Sequence, residues 1–391
     1  MSGLHRGDRQ YLRAVLAMVA AGLASFNTLY ATQALLPTLT QDLGISPSQA
    51  ALTISATTGA LAVCIVPASI LSERFGRGRI LSVSVVFAVG LGLVLPWLPS
   101  IEAFIIGRTI QGILLAGVPA VAMAWISEEV RIEDLGHMMG LYVAGTSIGG
   151  LLGRLIPATA VEFMPWQNAV FVNGCIALTF AVLFVWLLPS QQRFHPKTLT
   201  FRSEFRIMVM HWKNPKLAAL FISGFLNMGA FVSLYNYLGY RMVSQFHLSE
   251  AVTGSLFLLF LSGTWSSTTA ATLVARFGTA NTVVGLVITS TLGLIGCAST
   301  HFGITMVALL LFTASFFALH STASGAIGKT AISHRAEATS MYLFCYYCGS
   351  SVLGWVSGYI FSYFGWAGLI CGLLFLMTIF GTAAVYFANK N

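Results

Sequence analysis

Apolar residues run along this chain in stretches long enough to cross a lipid bilayer, separated by short polar or turn-forming breaks. A spanning helix needs about 20 mostly apolar residues. On that rule the pattern predicts twelve helices. Six fall at 12–37, 48–72, 79–98, 101–126, 135–162 and 166–188; six more fall at 215–244, 249–276, 280–300, 302–328, 337–363 and 366–387. Pro47, Gly76 with Gly78, Pro99, Pro165, Pro189 and Pro215 punctuate them. The third-to-fourth and eleventh-to-twelfth turns are the least marked boundaries. The first run, behind Arg6, Arg9 and Arg13, is too long for a signal-peptide core and reads as a retained span. The fold class is an all-α membrane protein.

Composition removes the alternatives. Hydrophobic residues make up 57% of the 391 residues and charged residues 8%, against about a quarter charged in an ordinary soluble domain. That excludes a soluble enzyme, a disordered chain and a nucleic-acid binder. The net charge of +8 is therefore a topology signal. With the N-terminus in the cytoplasm, every Lys and Arg falls on the cytoplasmic side except Arg108, Arg154 and Arg241. Arg108 and Arg154 fall inside spans. Both termini are then cytoplasmic, in a multi-pass protein of a bacterial inner membrane. The six cysteines all sit in apolar runs and read as packing residues, the Cys345-x-x-Cys348 pair included.

The longest polar stretch, 189–214, divides an N-terminal half (1–188) from a C-terminal half (215–391). It is basic, with Arg193, Lys197, Arg202, Arg206 and Lys213. A short amphipathic surface helix is predicted around Phe201–Met210. The halves resemble each other. Leu71-Ser72-Glu73-Arg74-Phe75-Gly76 follows the second span and Leu273-Val274-Ala275-Arg276-Phe277-Gly278 the eighth. Phe26-Asn27-Thr28-Leu29-Tyr30 in the first span pairs with Phe231-Val232-Ser233-Leu234-Tyr235 in the seventh. Two matches at nearly one offset argue for a duplicated parallel repeat. Two like-oriented halves facing one another would form a central cavity that rocks open to either side.

The stretch Ser69 to Ile80 resembles the signature of the major facilitator superfamily between its second and third spans, G-x-L-x-D-R-x-G-R-R. Leu71, Arg74, Gly76 and Arg77 match; Ser69, Glu73 and Gly78 depart from it. Arg108-Thr109-Ile110-Gln111-Gly112 is similar to the R-x-x-Q-G of drug:proton antiporters. Gly145-Thr146-Ser147-Ile148-Gly149-Gly150 is similar to their G-P-x-x-G-G, with Thr146 in place of the proline. The nearest flavour is the bacterial YnfM-type, sugar-efflux-like permease branch. The resemblance implies the major facilitator fold, twelve helices in two pseudo-symmetric halves. It implies a cytoplasmic latch at Glu73, Arg74, Gly76 and Arg77 between the halves. It implies close helix packing at Gly145, Gly149 and Gly150.

Ionisable residues inside a membrane are costly, so each is a candidate for function. Every carboxylate falls in a loop or near a helix end, leaving no mid-span acid as proton carrier. Arg108 cannot readily lose its proton; it hydrogen-bonds Gln111 or backbone carbonyls, in a structural or a coupling role. Arg154 reads an anionic group, pairs structurally, or snorkels to the outer interface. His320 titrates in place of the missing carboxylate, or is a neutral core histidine. His211 looks exposed. Polar and aromatic residues mark a substrate cavity: Asn27, Tyr30 and Gln33, then Asn227, Tyr235 and Asn236, with Trp265, Tyr342 and Tyr346. For any one of them, interhelical packing is the alternative. No metal-ligand spacing, nucleotide-binding loop or nucleophile–base set occurs, so neither a cofactor nor enzymatic catalysis is expected. The reading is a monomeric secondary transporter of small organic molecules, working by alternating access. It exports drugs or metabolites against inward proton flow. The other reading is an importer or facilitator of an anionic organic solute.

Overall fold

A computed structural model of the chain describes residues 3–194 and 201–388. Lys197 of the basic linker and Lys390 lie outside the described residues. A backbone in lipid must bond to itself, and the chain answers with helices. Spans 1 to 6 are Arg9–Leu43, Pro47–Phe75, Arg77–Trp97, Ile101–Glu129, Ile132–Ala160 and Trp166–Leu187. Spans 7 to 10 are Pro215–Phe246, Glu250–Phe277, Thr279–Cys297 and Phe302–Thr330. The last apolar stretch, Glu337–Thr382, runs for 46 residues. Gly365 breaks it, with φ 64° and ψ −161°, into spans 11 and 12. All twelve predicted helices are thus present. The surface helix Phe201–Met210 forms where its amphipathic pattern predicts.

Prolines explain the interruptions. Span 1 is helical over Arg9–Tyr30, tightens into a 3-10 turn at Gln33–Leu35, and resumes at Leu36–Leu43. Pro37 supplies no N–H and its ring crowds the carbonyl four residues earlier, so the break falls just upstream. Span 4 breaks between Leu115 and Pro119 for the same reason.

By packing, the chain forms two compact units. One comprises Met1–Leu35 and Ala56–Glu204; the other comprises Leu36–Ser55 and Phe205–Asn391. In the first unit, span 5 lies directly on span 1. A Cβ on Gly149 would meet the Leu23 carbonyl oxygen at 2.6 Å, and one on Gly145 the Val19 oxygen at 2.8 Å. Gly153 lies as tightly against the Asn27 carbonyl. These three glycines step by four and so share one helix face. In the second unit, Gly349 of span 11 abuts the Phe225 carbonyl of span 7 in the same way. There Tyr240 donates to the Leu36 carbonyl at 2.9 Å and bonds Thr40 at 2.6 Å. Thr38 donates to Glu250 at 3.0 Å, and Ser351 to the Ser55 carbonyl at 2.6 Å.

The repeat has a structural counterpart. Gly76 and Gly278 both take positive φ, 100° and 77°, at the turns after spans 2 and 8. Beside each, the preceding arginine lies over the preceding phenylalanine, Arg74 on Phe75 at 5.4 Å and Arg276 on Phe277 at 5.2 Å. Phe26 packs on Tyr30 with ring centroids 6.3 Å apart, and Phe231 on Tyr235 at 4.8 Å.

Gly149→Val should force spans 1 and 5 apart and lower stability by about 1–3 kcal/mol. Thermal unfolding of detergent-purified protein would register it as a lower midpoint. Gly140, with open space where its Cβ would sit, should tolerate alanine without loss.

Candidate functional site

The helix break in span 1 organises the first cluster. The last carbonyls of a helix have no partner within it, and the helix dipole places negative charge there. Arg108 of span 4 supplies what is missing. Its guanidinium donates to the Thr28 carbonyl at 3.0 Å and the Leu29 carbonyl at 2.6 Å. It also bonds the Gln111 side-chain oxygen, and the Gln111 amide donates to the Ala88 carbonyl of span 3 at 2.7 Å. Arg108 is 2% exposed. A cavity of about 20 Å³ adjoins it, lined in part by Thr28, Thr32, Gln111 and Asn173. That is room for one water molecule.

Beyond the break, Gln33 receives a hydrogen bond from Nε of Arg154 at 2.7 Å. Arg154 also donates to the Gly150 carbonyl at 2.5 Å and lies 3.8 Å over the Tyr30 ring. It is 4% exposed, so its head group turns into the unit instead of snorkelling out. Asn27 donates to Asn173 of span 6 at 2.9 Å. Asn27, Tyr30 and Gln33, which step along span 1, therefore meet Asn173 and Arg154, and Asn173 was not among the sequence candidates. Its signal is an amide in the middle of the apolar sixth span.

The second cluster centres on His320 in span 10. Its Nδ1 lies 2.8 Å from the Tyr342 hydroxyl of span 11. The Tyr346 ring packs 4.7 Å from the imidazole. On the other side, Phe316 stacks parallel to the histidine at 6.5 Å and to Phe231 of span 7 at 3.7 Å. Asn227 donates to the Phe316 carbonyl at 3.1 Å. Tyr235 bonds Thr313 at 2.6 Å and packs among Phe257 and Phe260. Asn236 is buried; Trp265 is 69% exposed and takes no part in these ring contacts.

The third cluster is ionic. Arg77 sits at the start of span 3, 4% exposed. It donates to Glu73 at 2.6 Å, to Ser72 at 2.7 Å, and to Glu128 at 2.9 and 3.0 Å. Gln191 of the linker holds Glu128 at 3.1 Å and receives the Gly78 N–H at 3.3 Å. Glu129 next door accepts the backbone N–H groups of Gln192 and Arg193 at 3.0 and 2.8 Å. The partners of Glu73 and Arg77 thus lie within the first unit. Glu128 was not singled out, because its partner is 51 residues away. His211, expected to be exposed, is 8% exposed and its ring reaches the His334 carbonyl at 3.2 Å.

Arg77→Gln removes the one cation shared by two carboxylates. Breaking a buried pair from one side costs about 3–5 kcal/mol; partial exposure of Glu128 puts the expected loss near the lower figure. Thermal unfolding of Arg77→Gln beside Arg74→Gln would measure it, the second variant being nearly neutral.

Comparison with known proteins accords with these features. The family model of the Major Facilitator Superfamily matches residues 17–331. The chain is 37% identical over 377 residues to the inner membrane transport protein YnfM of Escherichia coli, covering 96% of this chain and 90% of that protein. It is 33% identical to the uncharacterized MFS-type transporter YybF of Bacillus subtilis, covering 97% and 94%. The nucleoside transporter NupG shares the fold, with a TM-score of 0.79 at 13% identity over 95% of this chain and 99% of that one. The chain is a multi-pass membrane transporter and belongs to the major facilitator superfamily.

Proposed function

We propose that this transporter exports small, partly apolar organic molecules in exchange for protons. The reading takes the N-terminal and C-terminal halves, 1–188 and 215–391, as the two working parts of a monomer. It places the protein in an inner membrane with both termini in the cytoplasm, as the distribution of Lys and Arg favours. The observation that carries it is the His320–Tyr342 hydrogen bond inside a set of aromatic rings. A histidine is the side chain whose charge changes near neutral pH. Here its Nδ1 shares a hydrogen bond with a phenol, and stacked rings beside it suit a flat or apolar ligand. A ligand and a proton competing for that one spot would give exchange.

The second reading, transport of an anionic solute, draws on Arg154. Its guanidinium bonds Gln33 and Gly150 and lies over the Tyr30 ring, buried within the first unit. A buried cation at this depth is a group that an anionic solute could address.

Proteoliposomes separate the two. For export, an imposed pH gradient should drive substrate movement, and His320→Ala should abolish that drive while sparing substrate exchange. Movement indifferent to collapse of the gradient would overturn proton coupling. For the anion reading, Arg154→Gln should raise the KM for anionic substrates about tenfold, the loss of one charge-assisted hydrogen bond. Equal loss for neutral substrates would assign Arg154 to folding.

A further inference from the structure

A cavity of about 570 Å³ in the second unit is lined by none of the residues discussed above as transport candidates. It opens between the starts of spans 7 and 9 and the end of span 10, with Phe380 of span 12 along one wall. Three lysines line it, Lys213, Lys216 and Lys329, and among the described residues no Asp or Glu does. Two helix N-termini also meet there. Pro215 begins span 7, whose first free N–H is capped by Asn214. Thr279 begins span 9, whose N-cap is Gly278, so no side chain caps it. Helix N-termini carry partial positive charge and uncommitted N–H groups. Behind this cationic mouth the walls are apolar, with Ile222, Leu226, Val283 and Phe380.

The internal repeat sharpens what this means. Gly76 and Gly278 align the turns, so Thr279 stands where Arg77 does. Spans 4 and 10 are both 29 residues long, and aligning them sets Lys329 against Glu128. In the first unit this corner is closed by Arg77 bonded to Glu128. In the second unit the acid has become a lysine and the arginine a threonine. The corner is open, with a lysine at the position the acid takes in the first unit.

We propose that this cavity binds one anionic glycerophospholipid, its phosphate between Lys213, Lys216 and Lys329 and an acyl chain along Leu226 and Val283. The site lies on the face of the membrane that carries most of the chain's Lys and Arg. A cationic mouth over an apolar groove matches a lipid's two ends, whereas a free phosphate would leave the groove uncovered. Trp212, packed on Phe221 at 5.4 Å, stands at the rim where aromatic rings favour the headgroup level.

Native mass spectrometry of the full chain in micelles with defined lipid tests this. Phosphatidylglycerol should be retained as one tight adduct, about tenfold or more over phosphatidylethanolamine. The triple variant Lys213→Gln, Lys216→Gln, Lys329→Gln should lose that preference. Arg276→Gln, outside the cavity, should keep it. Equal retention of the two lipids by the unmodified protein overturns the proposal, and this comparison stands even if the triple variant fails to fold. Retention of the preference by a folded triple variant also overturns it. Displacement of the adduct by millimolar glycerol phosphate would assign the site to a soluble phosphate and likewise overturns it.

Discussion

The backbone contact of span 5 on span 1 governs the first unit. Gly145, Gly149 and Gly153 bring the two helices closer than any side chain would allow. In lipid, where apolar surface gains little from meeting other apolar surface, such contacts rest on van der Waals packing and on polar groups that bond across. The close approach puts Arg154 over Tyr30 and within reach of Gln33. One turn away, the broken helix of span 1 presents its carbonyls to Arg108. Each buried guanidinium is held by the geometry of the same helix. Span 1 is thus at once a packing surface and a bonding surface for both.

The second unit uses different chemistry on the same framework. Its close contact is Gly349 on span 7, and its polar centre is an imidazole and a phenol among rings. Where the first unit fixes its cations with carbonyls and carboxylates, the second stacks Phe231, Phe316 and His320 in parallel. A duplicated scaffold has diverged into one charged and one aromatic interior.

Much of the fold was legible in the chain because lipid allows so few backbone solutions. Apolar run lengths located the helices, and turn residues located most ends. Gly365 is the instructive case: apolarity is continuous through it, yet a single residue at positive φ suffices to turn the chain. The sites were legible in part. Gln111 follows Arg108 by three residues on one helix, so that bond lay within local spacing. Arg77 with Glu128 and Asn27 with Asn173 join distant spans, and no local spacing announces which spans are neighbours. His211 sits in a polar segment beside Trp212 and Lys213, which suggests exposure. Only the tertiary path of the chain past His334 buries it.

The turn at Gly365 has a practical side. Spans 11 and 12 are joined with no loop, so the chain offers no linker there to a protease or an inserted tag. An insertion would have to unwind a helix end instead of lengthening a linker. Sidedness would be read more cleanly near Gly44, where the chain leaves one helix at positive φ and enters another through an exposed stretch.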